Sequence, residues 1–276
     1  MLFKDVIGGE KIQQQLVSGV TRNRIAHAQL FVGSQGSAAL PMALAYAQYL
    51  NCENKNNQDS CNKCSSCVKF NNISHPDFHV SFPIIKHSKN KNNVSDLFLE
   101  KWRNKVLKNP YLSPRDWMLE INSKDKTGKQ GGIYKDEALN IQKKLTLKTF
   151  ESKYRIVLMW MPEKMNADAS NKLLKCFEEP PKNTIFILVS IDPNNIMQTV
   201  QSRFQKIQVP DFSKNEIREY LKRENVDDKE INKSILSSGS DLGEILKNIY
   251  ELSLIHISEP TRQAEMSYAV LCLKKK

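Results

Sequence analysis

The sequence predicts an α/β fold on a parallel sheet followed by a small all-helical region, and three observations carry that reading. Strand-length apolar runs alternate with amphipathic helical stretches between residues 136 and 190, as in a sheet covered by helices. These runs are nearly all apolar, which suits strands buried on both faces. Beyond Pro210 the strand-like runs stop and only helical periodicity is left.

In chain order, Phe3-Lys4-Asp5-Val6-Ile7-Gly8 leads into an amphipathic helix over Glu10 to Gly19, with Ile12, Leu16 and Val20 on one face. Gln29 to Val32 is a short strand that ends in Gly33-Ser34-Gln35-Gly36. Met42 to Leu50 then reads as a helix, with Pro41 tolerated in its first turn. Residues 83–135 are rich in Lys and Asn and carry Asn-Pro and Gly-Gly breaks, so they read as an insertion. An amphipathic piece at Leu97 to Leu107 lies within it, and the stretch is either an interaction surface or a solvated spacer. Alternation resumes with helix Asp136 to Leu147, strand Arg155 to Trp160, helix Asn166 to Phe177 and strand Thr184 to Ser190. Three helices follow, at Lys214 to Glu224, Asp227 to Ser237 and Asp241 to Tyr250. The expected division is therefore 1–209 for the α/β domain, with a cysteine module at 50–70, then 210–251 for a helical domain. Residues 252–276 continue neither pattern. Ser253 to Lys276 resembles the peptide obtained by translating a sequencing adapter, and we set it aside from the fold as an artefact, the alternative being a divergent tail.

The formal charge of +11 fits a nucleic-acid or acidic partner, but it is spread along the chain and leaves direct DNA contact open. No run approaches the roughly 18 to 20 apolar residues that a membrane helix needs, and Met1 to Asp5 lacks a secretion-signal pattern, which leads us to expect a cytoplasmic protein. Six cysteines in such a chain argue against disulfides. Four of them, Cys52, Cys61, Cys64 and Cys67, are separated by eight, two and two residues. Two-residue gaps let successive thiolates turn toward one ion, and four sulfurs fill a tetrahedron and leave no place for water. The expectation is a structural zinc in a polar, loop-like stretch from Asn51 to Lys69. Cys176 reads as a small core residue on a helix.

Strand, Gly-containing loop and helix form the layout of a phosphate-binding unit. A working loop of that kind needs a Lys for the terminal phosphates and a hydroxyl for magnesium. Here Ala39 stands at the Lys position and Leu40 at the hydroxyl position, behind Gly33 and Gly36. An active relative would also end its next catalytic strand in Asp-Glu, where this chain has Trp160-Met161-Pro162. With both polar sets missing, we expect neither a bound nucleotide nor ATP hydrolysis in cis.

These residues resemble the clamp-loader branch of the AAA+ superfamily over roughly residues 1 to 250. The likeness is carried by Phe3 to Gly8, His27-Ala28-Gln29-Leu30-Phe31, the four cysteines, Leu173-Leu174-Lys175-Cys176-Phe177-Glu178-Glu179-Pro180-Pro181, and Thr199-Val200-Gln201-Ser202-Arg203. The degenerate loop and the lost acidic pair look like the delta-prime type of subunit, as does Gly243 where an active subunit would carry a sensor Arg. The resemblance implies a RecA-like domain with the zinc module inserted, a helical lid, and a carboxy-terminal collar that this chain does not reach. It implies a subunit of the DNA polymerase holoenzyme that does not hydrolyse ATP. Its partners would be motor (gamma/tau) and delta subunits, with the sliding clamp and primed DNA reached through the complex. It also implies that Arg203, supported by Ser202, is an arginine finger acting in trans, with Phe204 as the one departure from the Ser-Arg-Cys motif. Two other readings stay open: an active ATPase motor subunit, and a stand-alone zinc-dependent nucleic-acid binder.

Overall fold

The computed structural model describes residues 1–86, 92–122 and 131–249, and the tail at 252–276 lies outside the described residues. After a short 3-10 turn, α1 (Glu10–Thr21) leads to β1 (Ala28–Val32), α2 (Ala39–Asn51) and α3 (Ser65–Asn71). Next come β2 (Phe78–Ser81), α4 (Leu99–Lys108), α5 (Pro114–Asn122), α6 (Lys135–Thr146) and β3 (Arg155–Trp160). The chain continues through α7 (Ala167–Glu178), β4 (Thr184–Ser190), α8 (Gln198–Gln201), β5 (Gln205–Gln208), α9 (Lys214–Arg223) and α10 (Asp228–Ser238). A last described helical stretch covers 242–249.

The five strands form one parallel sheet in the order β2-β3-β4-β1-β5. Alternate residues on each strand point to opposite faces, and this divides the core in two. Phe31, Ile156, Leu158, Trp160, Ile185, Ile187 and Val189 face a cluster built with α1, α2, α4 and α5. Leu30, Val157, Met159, Phe186 and Leu188 face a second cluster with α6 and α7. β1, β3 and β4 are buried at every position, as their unbroken apolar runs predict. Edge strand β5 buries only Ile207, and β2 and β5 are too short and too polar to stand out in the sequence.

Residues in the Lys- and Asn-rich stretch pack firmly, so a solvated spacer is not what its described part forms. Trp102 of α4 stacks on Phe82 at 5.1 Å and lies 6.4 Å from Trp160, while Trp117 of α5 meets Phe82 edge-on. Pattern reading gave α4 but not α5, because the surrounding Lys and Asn mask two tryptophans that anchor the pair to the sheet. Local capping fixes the helix starts. The Asn166 side chain accepts from Ala169 N at 2.9 Å before α7, and Ser213 and Glu216 form a reciprocal capping box before α9.

The Trp102→Ala variant should lose about 3–5 kcal/mol of stability, because its ring is fully buried against the aromatic rings of Phe82 and Trp160. Denaturant unfolding measures this, and a loss below about 1 kcal/mol would mean that α4 is peripheral.

Candidate functional site

Parallel strands put all their carboxyl ends on one edge of the sheet, where open α/β folds place ligands. The Gly33–Leu40 loop emerges there from the interior strand β1, held by a hydrogen bond from Gly33 N to Ser190 O of β4. Gly36 has φ +69°, a left-handed conformation suited to Gly. A Cβ on Gly36 would lie 2.0 Å from Asp241 Oδ1. A carboxylate of the same chain therefore packs directly against the loop at Gly36. Asp241 Oδ2 accepts from Gln35 Nε2 at 2.9 Å, and Oδ1 accepts from Glu244 N at 3.0 Å, capping the helical stretch at 242–249. On the other side Ser34 Oγ donates to Asp211. A phosphate entering this loop would meet two carboxylates and no Lys, since Ala39 and Leu40 are both buried at the start of α2.

Gly243 closes the same corner. A Cβ there would come 2.0 Å from Tyr111 O, so no side chain fits, and Asn109 Nδ2 donates to Gly243 O at 3.2 Å. Lys247 Nζ pairs with Asp116 Oδ1 at 2.7 Å, which ties this stretch to α5 as well. Trp160 and Met161 are buried apolar side chains with no catalytic capacity. The nearest acid, Glu163, is turned toward β4: it accepts from Ser190 Oγ at 2.8 Å and from Ile191 N at 3.3 Å, and burial pushes its carboxyl up.

Ser202 and Arg203 form the turn between α8 and β5, at the amino-terminal edge of the sheet. Because Gln208 pairs with Val32 and Gln205 with Gln29, Arg203 stands about 15–20 Å along the strand from Gly33, at roughly 3.3 Å per residue. The two sites are therefore not brought together within one chain. Arg203 Nε donates to Glu178 Oε1 at 2.7 Å, its Nη2 reaches the same carboxylate, and Nη1 donates to Thr199 O. Phe204 packs edge-on against Phe177 at 5.0 Å, so this departure from the motif gains a place in the core.

The four cysteines do come together. Their Sγ atoms all lie within 4.8 Å of one another, with Cys61 and Cys67 at 3.9 Å. Four sulfurs about 2.3 Å from one ion sit about 3.8 Å apart, so the cluster fits a tetrahedral zinc. Backbone amides reinforce the fit: Cys61 N points at Cys52 Sγ (3.2 Å), Cys64 N at Cys61 Sγ (3.3 Å) and Cys67 N at Cys64 Sγ (3.4 Å). Donors from Lys63 and Cys64 hold the Cys61 thiol down to about 6, whereas burial pushes Cys52 and Cys67 up. A cation among them would favour the thiolate throughout. Gln48 Nε2 is buried near the cluster with no hydrogen-bond partner among the described residues, so it is available as an outer donor to a thiolate. Contrary to the loop-like expectation, Cys64 caps helix α3, and Cys52 and Cys67 are buried while Cys61 and Cys64 are half-buried. The cysteine module is also sewn to the rest of the chain, since Asp59 accepts from Phe3 N at 3.1 Å and Lys4 N at 3.0 Å.

With this geometry in hand, residues 8–213 match the family model described as DNA polymerase III, delta subunit. The chain belongs to that family. Its curated relatives include DNA polymerase III subunit tau of Bacillus subtilis strain 168, 26% identical over 74% of this chain and 28% of the relative. Subunit delta' of the same organism is 24% identical over 71% of this chain and 46% of the relative. This member of the DNA polymerase III delta-subunit family thus spans less than half the length of either. A solved gamma-subunit-related protein of Thermotoga maritima superposes with a TM-score of 0.40 at 13% identity, covering 87% of this chain and 71% of the other. Among the described residues no helix is long and apolar enough to cross a membrane.

Sequence reasoning missed Asp241, Glu178 and Gln48 as parts of these sites, and an isolated acid or amide gives no local signal. Cys64→Ser should release the metal and lower stability by about 2–3 kcal/mol, a fall of roughly 5–10 °C in Tm. Elemental analysis for zinc together with calorimetry measures both, and unchanged zinc content would remove Cys64 from the ligand set.

Proposed function

We propose that this chain is a delta-prime-type clamp-loader subunit that does not hydrolyse ATP. It would assist in placing the sliding clamp on primed DNA in the cytoplasm and present Arg203 to the nucleotide of a neighbouring motor subunit. The observation that carries this reading is the state of the phosphate loop. Buried Ala39 and Leu40 stand where Lys and hydroxyl would be needed, and Asp241 packs against the loop at Gln35 and Gly36. Arg203 supports the same reading. A guanidinium stabilises charge on a transferring phosphoryl group, and since it lies far along β5 from its own loop, the phosphate it serves belongs to another subunit.

In this reading residues 1–209 are the nucleotide-fold domain, with the cysteine module at 50–70 holding a structural zinc. Residues 210–251 are the lid, whose Asp241 closes on the loop where a motor subunit would close on ATP. The tau relative keeps the motor reading in view as the alternative. Against it stand Trp160 and Met161, where the acidic pair would be.

The deciding experiment measures ATP hydrolysis by motor and delta subunits with clamp and primed DNA, with and without this chain. No turnover by the chain alone is expected, with stimulation of the motor that falls roughly 100-fold in Arg203→Ala. Turnover by the chain alone would install the motor reading instead. A nucleotide titration adds a second check: no saturable ATP binding is expected for the wild-type chain, and binding that releases Gln35 from Asp241 would contradict the closed loop.

A further inference from the structure

We infer that Glu178 is the positioning residue of Arg203, a carboxylate that aims the guanidinium before a neighbouring phosphate arrives. This inference rests on the finger reading above and goes beyond it, by naming a second residue on which the finger depends.

Glu178 is the last residue of α7, followed by Glu179 as C-cap. A helix carboxyl end already carries partial negative charge, so two acids there are unfavourable for the helix itself. The carboxylate of Glu178 is offset by one cation, Arg203. Nε and Nη2 of Arg203 both reach Oε1 of Glu178, and Nη1 takes Thr199 O and, at 3.3 Å, Ser202 Oγ. Of the five N–H groups of the fork, these contacts leave one Nη2 proton for an outside acceptor, and the weak contact to Ser202 is the easiest to exchange.

The backbone on each side of the pair is fixed as well. Phe177 precedes Glu178, Phe204 follows Arg203, and the two rings meet edge-on at 5.0 Å inside the second core cluster. Carboxylate and guanidinium are thus side-by-side outgrowths of one buried aromatic contact, and the turn cannot shift without moving both. Their heads stay reachable: the Arg203 side chain is 29% exposed and that of Glu178 is 46% exposed. An unpaired Arg would sample many rotamers, few of them aimed at a phosphate across a subunit boundary. Holding it at Nε, Nη2 and Nη1 leaves one Nη2 proton for an outside acceptor and restricts that search.

The test uses the assembled complex, with motor and delta subunits, clamp and primed DNA, and reads kcat and KM for ATP separately. Glu178→Ala should lower kcat about tenfold with KM unchanged, Glu178→Gln should fall between it and wild type, and Glu179→Ala should match wild type. The double variant Glu178→Ala/Arg203→Ala should be no slower than Arg203→Ala alone, because a positioning residue has nothing left to position. Thermal unfolding of each variant separates a folding defect from an aiming defect. Wild-type kcat in Glu178→Ala alongside an impaired Arg203→Ala would overturn the positioning role and leave the finger standing. Wild-type kcat in Arg203→Ala would overturn the finger itself, and a multiplicative loss in the double variant would assign Glu178 a role independent of Arg203.

Discussion

Because all five strands of the sheet run the same way, their carboxyl ends open on one edge, and the use made of that edge organises the molecule. The sheet can exist only if both faces are covered, since β1, β3 and β4 are buried at every position. α6 and α7 cover one face, and α1, α2, α4 and α5 cover the other. The loop after β1 is then left facing the chain that follows β5. In this protein that following chain supplies a carboxylate, Asp241, which accepts from Gln35 and lies against Gly36 of the loop.

The closed loop and the cysteine cluster sit at opposite ends of one helix. α2 starts at Ala39 in the loop and ends at Asn51, beside the first ligand candidate, Cys52. Gln48, one turn from its end, is buried beside the cluster's helix, and its Oε1 accepts from the Met1 amino group at 3.0 Å. Asn51 adds a tether of its own: its Nδ2 donates to Tyr154 O at 2.8 Å, and its Oδ1 accepts from Tyr154 N at 3.1 Å, just ahead of β3. A metal held by the cysteines would brace the far end of the helix that starts in the Gly33–Leu40 loop.

Much of this was legible in the sequence, for identifiable reasons. Strands β1, β3 and β4 announce themselves because burial on both faces makes their apolar runs unbroken, and the two-residue gaps of the cysteines state a geometry that the fold delivers. β2 and β5 were hidden because a four-residue strand, half of it polar or exposed, has no period to detect. α5 was hidden by its basic and amide-rich surroundings, and α3 because ligand spacing dominated the reading of its stretch. Asp241 and Glu178 belong to a different class. Each takes its meaning from a partner far away in the chain, Gln35 in one case and Arg203 in the other, and no local pattern encodes such a pairing.

The apolar replacement of the nucleotide motifs also sets a direction for descent. Ala39, Leu40, Trp160 and Met161 are all buried, and Asp241 packs against the loop at Gly36. Restoring a lysine or an acid at any one of them would bury a charge with no partner, at a cost of several kcal/mol, before any nucleotide could be held. On the reading proposed above, each single step toward a working nucleotide loop would be less stable than its parent and no more active. Once such a loop has become apolar, the route to it behaves as a ratchet: easily travelled by single substitutions in one sense, and closed to them in the other.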